Sequence, residues 1–348
     1  MSSVCVYKRR NANLDLLRTV AILLVLIYHI FQDLPYQITW LTEYGKYGVH
    51  LFFALSGYLI GGIWFREHAL NGHVRTFHFI MNRILRTVPP YFAAFTLYFT
   101  IRSQFFSDPF YWEFLCFLQN YFEYIPYYDI SWSLCIEEHF YLALPILLKI
   151  SWKYIERARY RALLLLSIAL LPGLLRLKLG IQTNYSGYPS IVSHLNYDFL
   201  AYGVLGAYLQ QHFPHMARQI SGYFYRICFI TAMLLASLHW LPAHVDYNLG
   251  LPILAALLGL IVTGFANKEM VAWAKTKINY SIAIGSYSVY LTHVLALNLS
   301  ELLTQKLKLP PYIDVMGCLI LSAILGYCFY KTVEFPTIKL RHHLLQKY

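Results

Sequence analysis

The sequence predicts an all-α membrane protein: a polytopic helical bundle with about ten transmembrane helices. Three observations carry this. Hydrophobic residues fill 58% of the 348 positions and charged ones 13%, against about 25% charged in a soluble domain. Apolar runs long enough to cross a bilayer, which takes roughly 20 residues, follow one another nearly end to end. The basic residues then sort to one side when the chain is threaded through those runs.

The runs cover about 14–32, 48–65, 87–102, 132–150, 162–179, 195–212, 222–241, 249–266, 279–301 and 313–333. The first follows Lys8-Arg9-Arg10 but has no small-residue cleavage site, so it reads as a retained span rather than a signal peptide. The second carries Gly57, Gly61 and Gly62, a small-residue face that lets helices approach closely. The third is short and led by Pro89-Pro90. Segment 103–131 is too polar to span; it is expected to lie outside, with Tyr121-Phe122-Glu123-Tyr124 and Tyr127-Tyr128 as an aromatic belt or a sugar-stacking surface. The fifth span is interrupted at Pro172-Gly173, a kink that neighbouring helices tolerate. Arg341 to Tyr348 form a short basic tail.

With the N-terminus inside, 22 of the 28 Lys and Arg fall on the inner side. That asymmetry supports ten spans with both termini cytoplasmic. It also accounts for the net charge of +11 without a nucleic-acid partner. The six cysteines show no CxxC spacing and read as small buried hydrophobes rather than disulfides or metal ligands. His68, His73 and His78 are spaced by five, which does not stack on a helix, so they are expected in a solvated loop with no metal site. We expect one domain over 1–348, with no fused extracytoplasmic domain.

Ionisable residues inside spans are costly and mark function. Arg18 and His29 are eleven apart on the first span, so both project from one face about 16 Å apart along the axis. Asp15 lies three before Arg18. Arg83 and Arg86, at i and i+3, face one way at the inner mouth of the third span, where guanidiniums suit phosphate oxygens. The positive-inside rule would place arginines there anyway. Glu137 and Glu138 open the fourth span; adjacent positions diverge by about 100°, so at most one faces a shared cavity. Ser56 is a nucleophile only with a base beside it.

Taken together these stretches resemble the acyltransferase 3 family of bacterial membrane O-acyltransferases. Arg18 and His29 match its Arg and His eleven apart, and Gly48 to Tyr58 its GxxxFFxxSGY span. Arg83, Arg86, Pro89 and Tyr91 match its basic RxxR, and Trp132 to Pro145 its WSLxxEExFYxxxP signature. Ser286 to His293 look like SYSxYLxH, and Glu334-Phe335-Pro336 like its closing E-x-P. His139, Thr292 and Phe335 depart from the family's usual residues, and the hydrolase-like domain of some members is not expected here.

The resemblance implies transfer of an acyl group, commonly acetyl from acetyl-CoA, to a hydroxyl of a glycan or lipid-linked glycan, in a bacterial cytoplasmic (inner) membrane among its lipids. In the scheme that follows, Arg83 and Arg86 hold the CoA phosphates. Arg18 orients the donor or stabilises developing charge. His29 is the general base, since imidazole titrates near neutrality. Glu137 or Glu138 fixes its tautomer. The scheme expects His29 and the arginines to share one continuous chamber; direct transfer and an acyl-histidine intermediate both fit. A membrane transporter or a non-catalytic subunit of a glycan assembly system are the alternatives.

Overall fold

The computed structural model describes residues 10–32, 42, 44–104, 109–122, 125–179, 188–238, 240–242, 245–308 and 310–345. Cys5, Lys8, Arg9, Asp108, Glu123, Tyr124 and Lys347 lie outside them. Among the described residues every regular element is helical. The long helices are α1 (Ala12–Gln32), α2 (Tyr47–Asn71), α3 (Thr76–Ser103), α4 (Trp132–Tyr154), α5 (Ala158–Leu179), α6 (Asp198–His212), α7 (Pro214–Gly222), α8 (Phe224–Leu238), α9 (Leu251–Ala266), α10 (Lys277–Leu307), α11 (Pro311–Phe329) and α12 (Phe335–Leu345).

Six helical stretches are long and apolar enough to cross a membrane, and the pair α7 and α8, bent by 63°, would make a seventh. The protein is thus a multi-pass helical bundle, but length and apolarity alone do not establish ten spans. The shortfall has a physical reason. Helices α3 and α4 are long enough, yet they carry the charged residues of the site, and α6 has only 15 residues.

Helix α2 packs most closely on α6, α10 on α11, and α1 on both α2 and α10. The α2–α6 contact depends on missing side chains. A Cβ on Gly57 would lie 1.9 Å from the Leu200 carbonyl oxygen, and one on Gly203 2.2 Å from that of Ala54. The backbones touch there, as small residues permit. Polar ties fix α1: Asn13 donates to the Phe265 carbonyl at 3.0 Å, and Thr19 donates to Asn279 Oδ1 at 2.7 Å.

Several expectations change. Helix α3 begins at Thr76 and runs through Pro89 and Pro90, so the third span is long rather than Pro-led. Segment 109–131 is no loose loop: its described part folds as short 3-10 turns with Phe114, Asn120 and Tyr128 fully buried, while Phe110 and Trp112 stay exposed. His68 lies on α2, stacked on Trp64, and His78 lies on α3, so neither is in a loop. Cys116 and Cys328 are exposed rather than buried. Arg176, one of the six Lys and Arg that the charge sorting leaves on the outer side, is fully buried and paired with Asp198. The basic tail is helical through Leu345, joined to α11 by a wide turn at Tyr330–Glu334.

The α2–α6 contact makes a direct prediction. Gly57→Ala should cost about 1–3 kcal/mol through forced backbone separation. Gly62→Ala, whose Cβ would meet only Ala207 at 3.9 Å, should be neutral or slightly stabilising. Thermal unfolding of the two variants in detergent checks this; equal melting temperatures would contradict it.

Candidate functional site

Four of the six candidate residues line one internal chamber. Arg18 enters from α1, Arg83 and Arg86 from α3, and Glu137 from α4; Ser56 of α2 and Tyr287 and Tyr290 of α10 complete its polar wall. The space is about 1040 Å³ counted to its open mouth. A second space of about 960 Å³, a vestibule, shares Ile63, Arg83 and Arg86 with it. The two arginines therefore stand at a junction between an outer vestibule and an inner chamber.

Local structure explains why these side chains converge. Arg83 and Arg86 share a face because they are one helical turn apart. Thr87, next along α3, donates to Glu138 Oε1 at 2.5 Å, and Tyr287 donates to the Thr87 carbonyl at 2.8 Å. Those two bonds clip α3 to α4 and α10 around the chamber. The 100° divergence of neighbours on α4 then sends Glu137 into the chamber and Glu138 into the helix interface, where it is buried.

The charges are unevenly compensated. Asp15 sits 3.9 Å from Arg18 and 2.7 Å from Arg10. Among the described residues no carboxylate lies within 4.0 Å of Arg83 or Arg86. Arg86 is also near enough to Arg18 to repel it. Three guanidiniums thus point into a space with one carboxylate in its wall, Glu137.

His29 does not line this chamber. Its ring stands 4.7 Å from that of His293 on α10. The ring of His293 is in turn 5.6 Å from that of Tyr290, a wall residue. The expectation of a single space lined by imidazole and guanidiniums is therefore not met: His29 neighbours the chamber wall through the rings of His293 and Tyr290. Arg18 and His29 do leave α1 on one stripe, but over 11 residues that stripe meets different neighbours. The tautomer also has a different source. His29 Nδ1 is 3.0 Å from the Val25 carbonyl and His293 Nδ1 is 2.7 Å from the Tyr290 carbonyl. A carbonyl only accepts, so both Nδ1 atoms carry hydrogen and both Nε2 atoms carry the lone pair. Backbone oxygens fill the role expected of Glu137 or Glu138.

His293 is the residue sequence reasoning passed over. It is fully buried and its Nε2 has no hydrogen-bond partner among the described residues. The signal was available: it closes the SYSxYLxH-like stretch. Tyr290 was equally overlooked; its hydroxyl donates to the Ile130 carbonyl at 2.9 Å and lies 2.6 Å from Ser133 Oγ. His139, the departure beside the paired glutamates, faces away, with Nδ1 2.7 Å from Ser193 Oγ. Among the described residues no group of three His, Cys, Asp or Glu could hold a metal.

Comparison with known proteins decides the family. The acyltransferase 3 profile, described as an acyltransferase domain, matches residues 11–331. The chain belongs to the acyltransferase 3 family. It is similar to a protein of Staphylococcus aureus (strain MSSA476) named provisionally as an O-acetyltransferase: 30% identity over 157 residues, covering 40% of this chain and 25% of that protein. It is also similar to the peptidoglycan O-acetyltransferase OatA of Listeria monocytogenes: 29% identity over 189 residues, 49% of this chain and 28% of that one. These matches thus span little more than a quarter of the relatives' own length. No solved structure matches the chain.

The two glutamates should separate cleanly. Glu138→Leu removes the acceptor for Thr87 in a buried interface and should cost about 1–3 kcal/mol of stability. Glu137→Gln faces the chamber and should leave the melting temperature within a degree or two while lowering acyl transfer. Melting curves and transfer rates on both variants check this; the reverse pattern would contradict the placement.

Proposed function

We propose that this chain is a membrane O-acyltransferase that moves an acyl group, acetyl by preference, from acyl-CoA to a hydroxyl of a cell-surface glycan such as lipopolysaccharide O-antigen or an exopolysaccharide, in the bacterial cytoplasmic membrane. One observation carries the donor half of this reading: Arg83 and Arg86, with no carboxylate within 4.0 Å among the described residues, at the neck between vestibule and chamber. An uncompensated pair of guanidiniums there suits a diphosphate. Charge sorting along the chain puts that end of the bundle in the cytosol, where acyl-CoA is made.

The rest follows from the geometry. With the diphosphate at the neck, the acyl-pantetheine arm runs into the inner chamber toward Tyr290. Arg18 sits where a guanidinium can stabilise the oxyanion as the hydroxyl oxygen bonds to the thioester carbonyl carbon. The hydroxyl proton goes to a base, the carbon–sulfur bond breaks, and the departing CoA thiolate takes that proton from the base to leave as its thiol. His29 Nε2 has the lone pair for that role, one residue layer beyond Tyr290 and backed by His293. The acceptor therefore meets the acyl group at Tyr290, approaching from the imidazole side. The Listeria relative's name favours peptidoglycan as a second acceptor class with the same hydroxyl chemistry.

The test uses the purified chain in lipid nanodiscs with radiolabelled acetyl-CoA and isolated surface glycans. His29→Ala should lower transfer by about 10²–10⁴-fold while CoA binding persists. Mass spectrometry of the glycans should show one acetyl lost from cells lacking the gene, and the sugar carrying it separates peptidoglycan from other acceptors. An unchanged rate in His29→Ala removes the base from the scheme. Uptake into vesicles without acetyl transfer would point to transport instead.

A further inference from the structure

The vestibule contains a cation that neither the family motifs nor the charge-sorting argument singles out. Arg341 comes from α12, beyond the part of the chain that matches the family profile. Helix α12 packs against α3, which brings Arg341 into the same space as Arg83 and Arg86. Its Nε is buried without a hydrogen-bond partner among the described residues, and its Nη2 reaches the ring nitrogen of His342 at 3.4 Å. No carboxylate within 4.0 Å compensates it among the described residues. The acidic residue of the vestibule, Glu67, is already engaged, accepting from the Arg75 backbone N–H at 3.3 Å. A buried bare N–H on a charged group, as on Arg341, is expensive, and the guanidiniums of Arg83, Arg86 and Arg341 repel one another across the shared space. An anionic ligand removes both costs at once.

We propose that the vestibule seats the 3′-phosphorylated nucleotide head of the donor, with Arg341 binding the 3′-phosphate. This rests on the acyl-CoA reading above and sharpens it. The head of CoA carries phosphate at two places, a diphosphate leading to the pantetheine arm and a monophosphate on the ribose. The vestibule offers guanidiniums at its neck and along its wall as well; Arg75 also lines the wall, beside Glu67, to which its backbone N–H donates. Arg83 and Arg86 stand at the neck, where the arm must pass; Arg341 lines the vestibule and not the inner chamber. A terminal monophosphate presents three acceptor oxygens, which suits a guanidinium whose Nε–H has no partner among the described residues. Arg341 is a specificity residue on this account: it distinguishes CoA from donors that end in a diphosphate or in pantetheine alone. A phospholipid headgroup carries the same phosphate chemistry and could sit against Arg341 at this depth.

The full-length protein in nanodiscs, titrated with CoA and with 3′-dephospho-CoA, tests this. The wild type should bind CoA about ten- to a hundredfold more tightly, the scale of one charge-assisted phosphate contact. Arg341→Gln should weaken CoA by that factor and leave 3′-dephospho-CoA unchanged, so that the two ligands become equal. Arg341→Lys, which keeps the charge, should restore part of the preference and guards against a folding defect. Repeating the titration in nanodiscs with and without anionic lipid separates the two phosphate sources. A preference for CoA that survives Arg341→Gln, or that changes with anionic lipid and not with the 3′-phosphate, overturns the assignment. A wild type indifferent to the 3′-phosphate overturns it while the acyl-CoA donor stands; a wild type that binds neither ligand overturns both.

Discussion

Burying a charge in a lipid-embedded bundle is tolerable only with a partner, and most of this protein obeys that constraint. Arg176 and Asp198 form a fully buried pair under the Tyr247 ring. Lys46 lies 3.6 Å from Asp246, and Asp314 accepts from Ser300 at 2.6 Å. Glu334 accepts from Ser288 at 2.5 Å. Arg83, Arg86 and Arg341 break the pattern. They face a common space, and among the described residues no carboxylate lies within 4.0 Å of them, although Glu137 and Glu67 stand in its walls. Guanidiniums without a close carboxylate suit an anionic ligand.

The packing serves that arrangement. The glycine contacts between α2 and α6 draw the bundle tight on one side, while the Thr87 and Tyr287 hydrogen bonds hold α3, α4 and α10 around the chamber on the other. The two wide turns act alike: Asp246–Gly250 and Tyr330–Glu334 each turn an acidic side chain inward, Asp246 toward Lys46 and Glu334 toward Ser288. Such extra-residue turns within helices recur at functional sites. Here the second also carries the helix on into α12, whose Arg341 lines the vestibule.

Much of this was legible in the sequence, and the illegible parts share a cause. Apolar runs mark helices well, so the all-helical bundle could be read directly. Helical spacing put Arg83 with Arg86 and separated Glu137 from Glu138, because both depend on geometry within one helix. What failed depended on geometry between helices. Nothing local says that His29 meets His293 some 260 positions later, or that His293 in turn packs against Tyr290 on the chamber wall. The count of ten spans is not established by length and apolarity, because the site's own charges make α3 and α4 look less like membrane helices. The tail misread has the same root: Arg341 looked like one more cytoplasmic cation, since an apolar count cannot show a helix continuing through a wide turn.

The central claim is that the bare guanidiniums hold the donor's phosphates. A cryo-EM map of the protein in nanodiscs with CoA tests it most directly. The account predicts diphosphate density within about 3 Å of Arg83 and Arg86, with the thiol end pointing toward Tyr290. CoA density at any other site, or a chamber filled by a lipid chain with the arginines still unoccupied, would contradict it.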